Sequence, residues 1–395
     1  GICDVFDLHA EKGIATADNN IFSGTKQYPV KRYLHYQDML ADKDIDAVVI
    51  ATPDHHHALM AIEAAKANKH VYLEKSVAHS EEELNELYKV IKSSNITFQL
   101  GHQITQSTVF KQAKEIIDKD ILGKITLVQT TTNRNTSEGA WIRHLDSKGN
   151  PKPGNDRNID WKQWLGTTPF VPFSIERFYN WTQWFAYDTG MIGQLFTHEF
   201  DAVNQLLRLG IPKSVSSSGG IYYWKDKREI PDSLHCVFEY PERDLTLMYS
   251  GNLASSRNRG RVFMGHDASM ELGNSISITI DRNSTKYKTG IANGLLDTTS
   301  PMVSFNSNLG QIDAVTSASE KYYADRGLTN TVINGRQVDV THLHLREWLN
   351  GIRENKTPSA NIDVAYEEGI ACLMAHYSYL EKRQVFWDKE NKKII

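Results

Sequence analysis

Residues Ile45 to Lys75 read IDAVVIATPDHHHALMAIEAAKANKHVYLEK, and this stretch decides the fold. Ile45 to Ala51 is an almost unbroken apolar run, the pattern of a strand buried on both faces of a parallel sheet. Thr52-Pro53-Asp54 ends it, because a proline has no N–H to give to a ladder. Leu59, Ile62 and Ala65 then fall near one face of a helix. His70 to Leu73 forms a second short buried strand, with Glu74 and Lys75 at its carboxyl end. Strand, helix and strand in this order make a βαβ unit. Open parallel sheets bind ligands beyond the carboxyl ends of their strands. Thr52 to His57 and Glu74-Lys75 both lie on that edge.

Working outward, Gly1 to Gly123 alternates strand and helix, which predicts a doubly wound α/β domain over 1–123. Helices are expected over Ala10 to Asp18, over Tyr33 to Leu40, and after a capping box formed by Ser80 and Glu83. A strand is expected at Ile96 to Leu100, and a helix through Val109, Ala113, Ile116 and Ile117. The opening Gly1-Ile2-Cys3-Asp4-Val5 reads as a strand ending in an acidic residue. In a dinucleotide-binding domain this is the second strand, whose acidic end binds ribose hydroxyls. The first strand and its glycine-rich turn are then expected within about 30 residues ahead of it. The other reading is that Asp4 merely ends some other strand.

From 124 to 395 the pattern changes. Ile125 to Asn133 alternates like a strand with one exposed face, and Thr136 to Ser174 is a long polar excursion rich in Gly, Pro, Asn and Trp. Trp161, Trp164, Trp181 and Trp184 fit either core packing or an aromatic platform for a sugar ring. Gln194 to Leu207 is helical, ending at Gly210. Strands are expected at Val215–Trp224, Leu234–Tyr240, Leu245–Gly251, Arg261–Met264 and Ser275–Ile280. Strands in a block predict an α+β domain with an open, largely antiparallel sheet. Two helices near the C-terminus run through Leu345 to Ile352 and Ile370 to Tyr377, while Asn283 to Asn330 is too weakly patterned to place.

Composition bounds the function. The 395 residues are 40% hydrophobic and 23% charged, ordinary for a globular protein of two domains. A net charge of -4 gives no footprint for nucleic acid. No apolar run approaches the ~20 residues of a membrane span. Three scattered cysteines, Cys3, Cys236 and Cys372, argue against a disulfide framework and a structural zinc site. His55, His56 and His57 are consecutive, so they do not share a helix face, and no carboxylate cluster accompanies them; no metal is expected.

The run AVVIATPDHHHALMAIEAAKANKHVYLEK, the strand ending Gly101-His102-Gln103, and GQLFTHEFD over Gly193 to Asp201 together resemble the Gfo/Idh/MocA oxidoreductase family. The likeness covers nearly the whole chain, and Ile159 to Gly166 (IDWKQWLG) is similar to a bacterial branch associated with glycans and glycosides. The resemblance implies a Rossmann-type nucleotide domain followed by a domain for substrate binding and oligomer contacts, giving a dimer or tetramer. It implies that Asp4 binds the adenosine ribose, with Val5 after it favouring NAD over NADP. Thr52, Pro53 and His57 match the loop along the dinucleotide. Glu74 and Lys75 match a Glu-Lys-Pro motif in which Ser76 replaces the proline. Lys75 matches the lysine at the nicotinamide ribose and reacting hydroxyl, Gln103 a residue near the nicotinamide, and His198 the catalytic histidine. The family's Asp four residues before that histidine is here Gln194. Localisation, cytoplasmic or periplasmic, is left open.

Oxidising a carbinol requires a hydride acceptor, which the cofactor supplies, and a proton acceptor, which the protein supplies. A partly desolvated lysine or a histidine can act near neutral pH. Gln194, one turn before His198, can still reach the site, but an amide can neither take a proton nor offset an imidazolium charge. The expectation is therefore that Lys75 or His198 transfers the proton without a carboxylate behind it. Arg134, Trp141, Arg143 and His144 in the excursion, with Gln194 and Asp201, are the candidate substrate contacts. The leading function is an NAD-dependent oxidoreductase on a hydroxyl of a sugar, cyclitol or glycoside. The alternatives are an NAD-dependent glycosidase working by transient oxidation and elimination, and a non-catalytic NAD- or sugar-binding protein.

Overall fold

The structure is a computed structural model that describes all residues except 18–28, 138, 147, 274, 307–329 and 334–335. The first half is built from β1 (Ile2–Cys3), α1 (Asp7–Ala17), β2 (Arg32–Tyr33), α2 (Tyr36–Ala41), β3 (Ala47–Ile50), α3 (His57–Lys66), β4 (His70–Leu73), α4 (Glu81–Lys92), β5 (Phe98–Leu100) and α5 (Thr108–Asp118). β3, β4 and β5 form one parallel sheet, and β1 pairs in parallel with β2 as a separate ribbon. The expected helix over Tyr33 to Leu40 starts later, because Tyr33 pairs with Cys3 in the ribbon. Ser80 caps α4 by accepting from the Glu83 amide at 3.2 Å, while the Glu83 side chain reaches back to the His79 amide at 3.1 Å.

The βαβ unit is as its sequence reads, with one correction. Val48 and Ile50 are buried, but Val49 is 59% exposed, so β3 is not covered on both faces. Among the described residues no strand joins β3 on the edge away from β4.

The second half continues with β6 (Ile125–Asn133), α6 (Trp161–Leu165), α7 (Ile175–Tyr179), a π-helical turn (Ile192–Phe196) and α8 (Thr197–Leu207). Then come β7 (Ser214–Gly220), β8 (Ser233–Tyr240), β9 (Leu245–Asn252), β10 (Arg261–Gly265), β11 (Ala268–Leu272), β12 (Ser275–Ile280), α9 (Lys288–Ala292), β13 (Val303–Asn306), β14 (Asn330–Ile333) and β15 (Arg336–Asp339). α10 (Val340–Glu354), α11 (Ile362–Glu381), β16 (Val385–Asp388) and β17 (Lys393–Ile394) close the chain. Ten strands form one sheet in the order β13-β12-β11-β10-β6-β9-β8-β7-β16-β17, and β6–β9 is its parallel pair. β11, which the sequence reading passed over, pairs with β10 and β12. Much of the stretch left unplaced after Asn283 lies outside the described residues.

α8 packs against α5 and α11, and α11 touches α4, β5, α8 and β7, so it joins both halves. This explains why most of its residues are buried rather than one stripe of them. Among the described residues no helix is long and apolar enough to cross a membrane.

A second, smaller core settles the tryptophans. Trp161 and Trp164 stack at 4.5 Å with planes 7° apart, in a cluster with Phe6, Ile159, Phe178, Trp184 and Tyr187. Burial uses up these ring faces, so Trp161, Trp164 and Trp184 are core and not a sugar platform. The same cluster fastens the excursion onto the end of β1, where Asp160 N donates to Val5 O at 2.8 Å and Asp7 N to Asn158 O at 3.0 Å.

Candidate active site

Lys75 leaves the carboxyl end of β4 and is 8% exposed. Its Nζ donates to Gln194 Oε1 at 2.9 Å. The amide of Gln194 is then donor to two carboxylates, Asp54 Oδ2 at 3.0 Å and Asp188 Oδ1 at 3.3 Å. The π-helical turn presents Gln194 to both; such turns insert an extra residue and re-aim the side chains around it. Gly193 makes the close approach possible, since a Cβ there would lie 2.3 Å from Ser76 Oγ and 2.4 Å from Thr189 Oγ1. Burial, then the neighbouring Asp54 charge, push the Asp188 carboxyl well above the usual carboxylate range. Arg143 is depressed by burial but faces both Asp188 and Asp54, whose charges favour its cation. The expectation of a proton-transfer site with no carboxylate behind it is therefore corrected. Two carboxylates lie behind Gln194, one from the loop after β3 and one from the segment before α8.

His198 begins α8, is 2% exposed, and stands edge-on to His102 with ring centroids 5.3 Å apart. The two Nδ1 atoms are 3.3 Å apart. Burial, then the charges of His102, Lys75, Arg134 and Arg261, hold His198 well below the usual imidazole range. It is thus neutral at physiological pH. His102 Nε2 lies 2.5 Å from Glu368 Oε2, and Thr197 Oγ1 donates to the other oxygen of Glu368. Burial alone would depress His102, but the Glu368 and Asp201 carboxylates outweigh it and raise it to about 9.

The cofactor-binding candidates all follow parallel strands: Asp4 after β1, Thr52 and Pro53 after β3, Glu74 after β4, and Gln103 after β5. The Asp4 side chain is 36% exposed; one oxygen accepts from the Phe6 amide at 2.8 Å and the other lies 3.7 Å from His9. Thr52 Oγ1, after the carboxyl end of β3, is buried with no hydrogen-bond partner. Gln103 Nε2 donates to Glu74 Oε1 and to Tyr72 Oη, both at 3.0 Å. Gly101 leaves room for that carboxylate, since a Cβ there would be 2.8 Å from it. These donors and acceptors fit a nicotinamide dinucleotide. His57 instead spans 2.6 Å to Ser76 O and 2.8 Å to Thr52 O, bracing the loop from behind. His55 and His56 both turn Nε2 to Trp164 O, so the three histidines do not converge on a metal.

The substrate candidates separate. Arg134 is close enough to His198 to depress it, and Arg143 faces the carboxylate pair. Trp141 is 6% exposed in the main core. His144 Nδ1 is 2.8 Å from Asn180 Nδ2, and the buried Asn180 also accepts from the amides of Arg143 and His144. Asp201 is fully buried behind His102 and accepts from Gln205 at 2.9 Å. Trp141 and Asp201 are thus buried to the same degree as Gln194 and His198. Asp188, His102 as a partner of His198, and Glu368 were not singled out from sequence.

Fold and site together define a class: a Rossmann-type parallel sheet joined to a ten-stranded mixed sheet, with a buried lysine after β4 and a buried histidine on α8. Residues 5–102 match the model of the oxidoreductase family with an NAD-binding Rossmann fold. That match, to the Gfo/Idh/MocA family, spans about a quarter of the chain and falls on the motifs after β3 and β4. An uncharacterized oxidoreductase of Bacillus subtilis is 36% identical over 97 residues, covering 25% of this chain and 28% of that protein. The levoglucosan dehydrogenase of Pseudarthrobacter phenanthrenivorans is 29% identical over 195 residues, covering 47% of this chain and 41% of that protein. The matches thus span less than half the length of these relatives. A solved levoglucosan dehydrogenase, in complex with NADH and levoglucosan, shares the fold with a TM-score of 0.65 at 16% identity, covering 98% of this chain and 89% of that one.

Proposed function

We propose that this chain is an NAD-dependent oxidoreductase that acts on a hydroxyl carbon of a sugar, cyclitol or glycoside. The observation that carries the reading is the buried Lys75, held by Gln194 at the carboxyl end of β4 and electrostatically coupled to a neutral His198. NAD, when bound, supplies the hydride acceptor. Asp4, Thr52, Glu74 and Gln103 would hold it along the sheet edge. An ammonium has three donors, so with one on Gln194 Lys75 keeps others to bind the reacting hydroxyl oxygen. The neutral imidazole of His198 takes the hydroxyl proton. Glu74, raised by burial and held by Gln103, fixes the strand end on which Lys75 sits. Arg134 and Arg143 are the basic groups that meet the remaining substrate hydroxyls. Assembly as a dimer or tetramer through the ten-stranded sheet belongs to the same reading, and light scattering on the purified chain tests it.

The test is NAD+ titration followed by a panel of levoglucosan, myo-inositol and aryl glycosides, with NADH read by absorbance. NADH formation with one member supports the proposal. Release of the aryl group with no NADH signal would make the chain a glycosidase, and nucleotide binding without any turnover would make it a binding protein.

A further inference from the structure

Three elements meet behind His198: the loop after β5 brings His102, α8 brings Asp201, and α11 brings Glu368. All three are at most 1% exposed. Side-chain polar atoms of the three lie within 4.8 Å of one another. The 2.5 Å contact between His102 Nε2 and Glu368 Oε2 is an ionic bond between imidazolium and carboxylate when His102 is protonated.

That bond restricts where protons can be. Glu368 keeps a proton on His102 Nε2. The two Nδ1 atoms face each other, so one carries a proton and the other accepts it. Two states follow. In the first, His102 is neutral, its Nδ1 accepts from His198 Nδ1–H, and His198 Nε2 is basic. In the second, His102 is imidazolium and donates to His198, which then carries its proton on Nε2.

We propose that His102 and Glu368 form a positioning dyad that takes up, through His198, the proton released when the substrate hydroxyl is oxidised. The inference rests on the oxidoreductase reading. The hydroxyl proton moves to His198 Nε2, and the Nδ1 proton of His198 moves to His102 Nδ1. Bound NAD+ would supply the hydride acceptor as C–OH becomes C=O, and the dyad would hold the one proton released. Glu368 stabilises the imidazolium, and Asp201 adds a second negative charge. The groups facing His102 are Glu368 from α11, Asp201 and His198 from α8, Glu74 from the end of β4, and His344 from α10. Oxidation needs the dyad unloaded, so its rate rises with pH as His102 releases its proton; carbonyl reduction needs it loaded and shows the opposite trend.

The test uses the full chain labelled with carbon-13 at histidine Cε1, with His102→Asn and His198→Gln used for assignment. In the wild type His102 stays imidazolium through neutral pH and titrates at about 9. In Glu368→Gln, which still accepts from Thr197, its midpoint falls by at least about one unit, tenfold in proton affinity. Glu368→Asp restores the high midpoint, and Glu368→Ala serves in place of Glu368→Gln should that variant not fold. A His102 already neutral at pH 7, or one unmoved by Glu368→Gln, overturns the dyad. The alkaline rise in the kcat profile of NAD+-linked oxidation should move to lower pH in Glu368→Gln by the same shift; a profile like the wild type's also overturns it. Absence of NADH with every panel member, while the His102 titration is as expected, fails the oxidoreductase reading instead and leaves the dyad's electrostatics standing.

Discussion

Lys75 Nζ and Gln194 Oε1 are 2.9 Å apart, and through this amide the lysine is tied to Asp54 and Asp188. An amide is suited to this place because its oxygen faces a cation and its nitrogen faces two carboxylates. A carboxylate at the same position would stand beside two others. Gln194→Leu therefore strips a partner from Lys75 and both acids. Each stranded buried group costs about 1–3 kcal/mol, so a loss of at least about 2 kcal/mol is expected in denaturant unfolding. A variant as stable as the wild type would show that the amide does not hold the cluster.

Lys75→Met tests the role of the lysine itself. Methionine fills a similar volume but offers no donor to a hydroxyl oxygen. Turnover with the responsive substrate should vanish, while NAD+ affinity measured by fluorescence titration should change little, because Asp4, Thr52 and Gln103 remain. Unchanged turnover would remove Lys75 from the reaction.

Asp188 makes a prediction with a defined sign. Its carboxyl is raised well above the ordinary value of 3.8, first by burial and then by the Asp54 charge. Above about pH 4 the unfolded chain releases this proton while the folded chain retains it. The group's contribution to stability is complete below that pH and is lost as pH rises toward its folded value. Asp188→Asn keeps a donor toward Asp54 and has no proton to lose. The variant should be more stable than the wild type at neutral pH, and the two stability curves should converge in acid. Urea unfolding across pH gives both curves; parallel curves would contradict the burial account.

The parts legible in sequence are those set by local pattern. The apolar runs of β3 and β4, the capping box at Ser80, and the motifs holding Lys75 and His198 needed only their neighbours to be read. The parts that were not legible depend on register or on distant chain. Asp188 is six residues before Gln194, a spacing that shares no face of a regular helix; the π-helical turn and Gly190 at φ +69° bring them together. Glu368 meets His102 only because α11 is clamped between the halves of the molecule. The tryptophans were ambiguous because ring count does not say which face is covered, and packing against Phe6 and Phe178 decides it.

Arg261 and Glu199 extend the site into the second sheet. Arg261 Nε on β10 lies 2.7 Å from Glu199 Oε2 on α8, both are fully buried, and the guanidinium sits 5.4 Å over the Phe110 ring of α5. Removing one member of a buried pair costs about 3–5 kcal/mol, whereas replacing both by apolar groups of similar volume is often tolerated. Arg261→Met should therefore destabilise by about that much in denaturant unfolding, and Arg261→Met with Glu199→Leu should recover most of it. The pair also bears on chemistry, because Arg261 is one of the cations that hold His198 low. In the double variant the His198 resonance should shift toward a higher titration midpoint than in the wild type. Recovery of stability without that shift would mean that the arginine braces α8 against the sheet but does not set the proton affinity of the histidine.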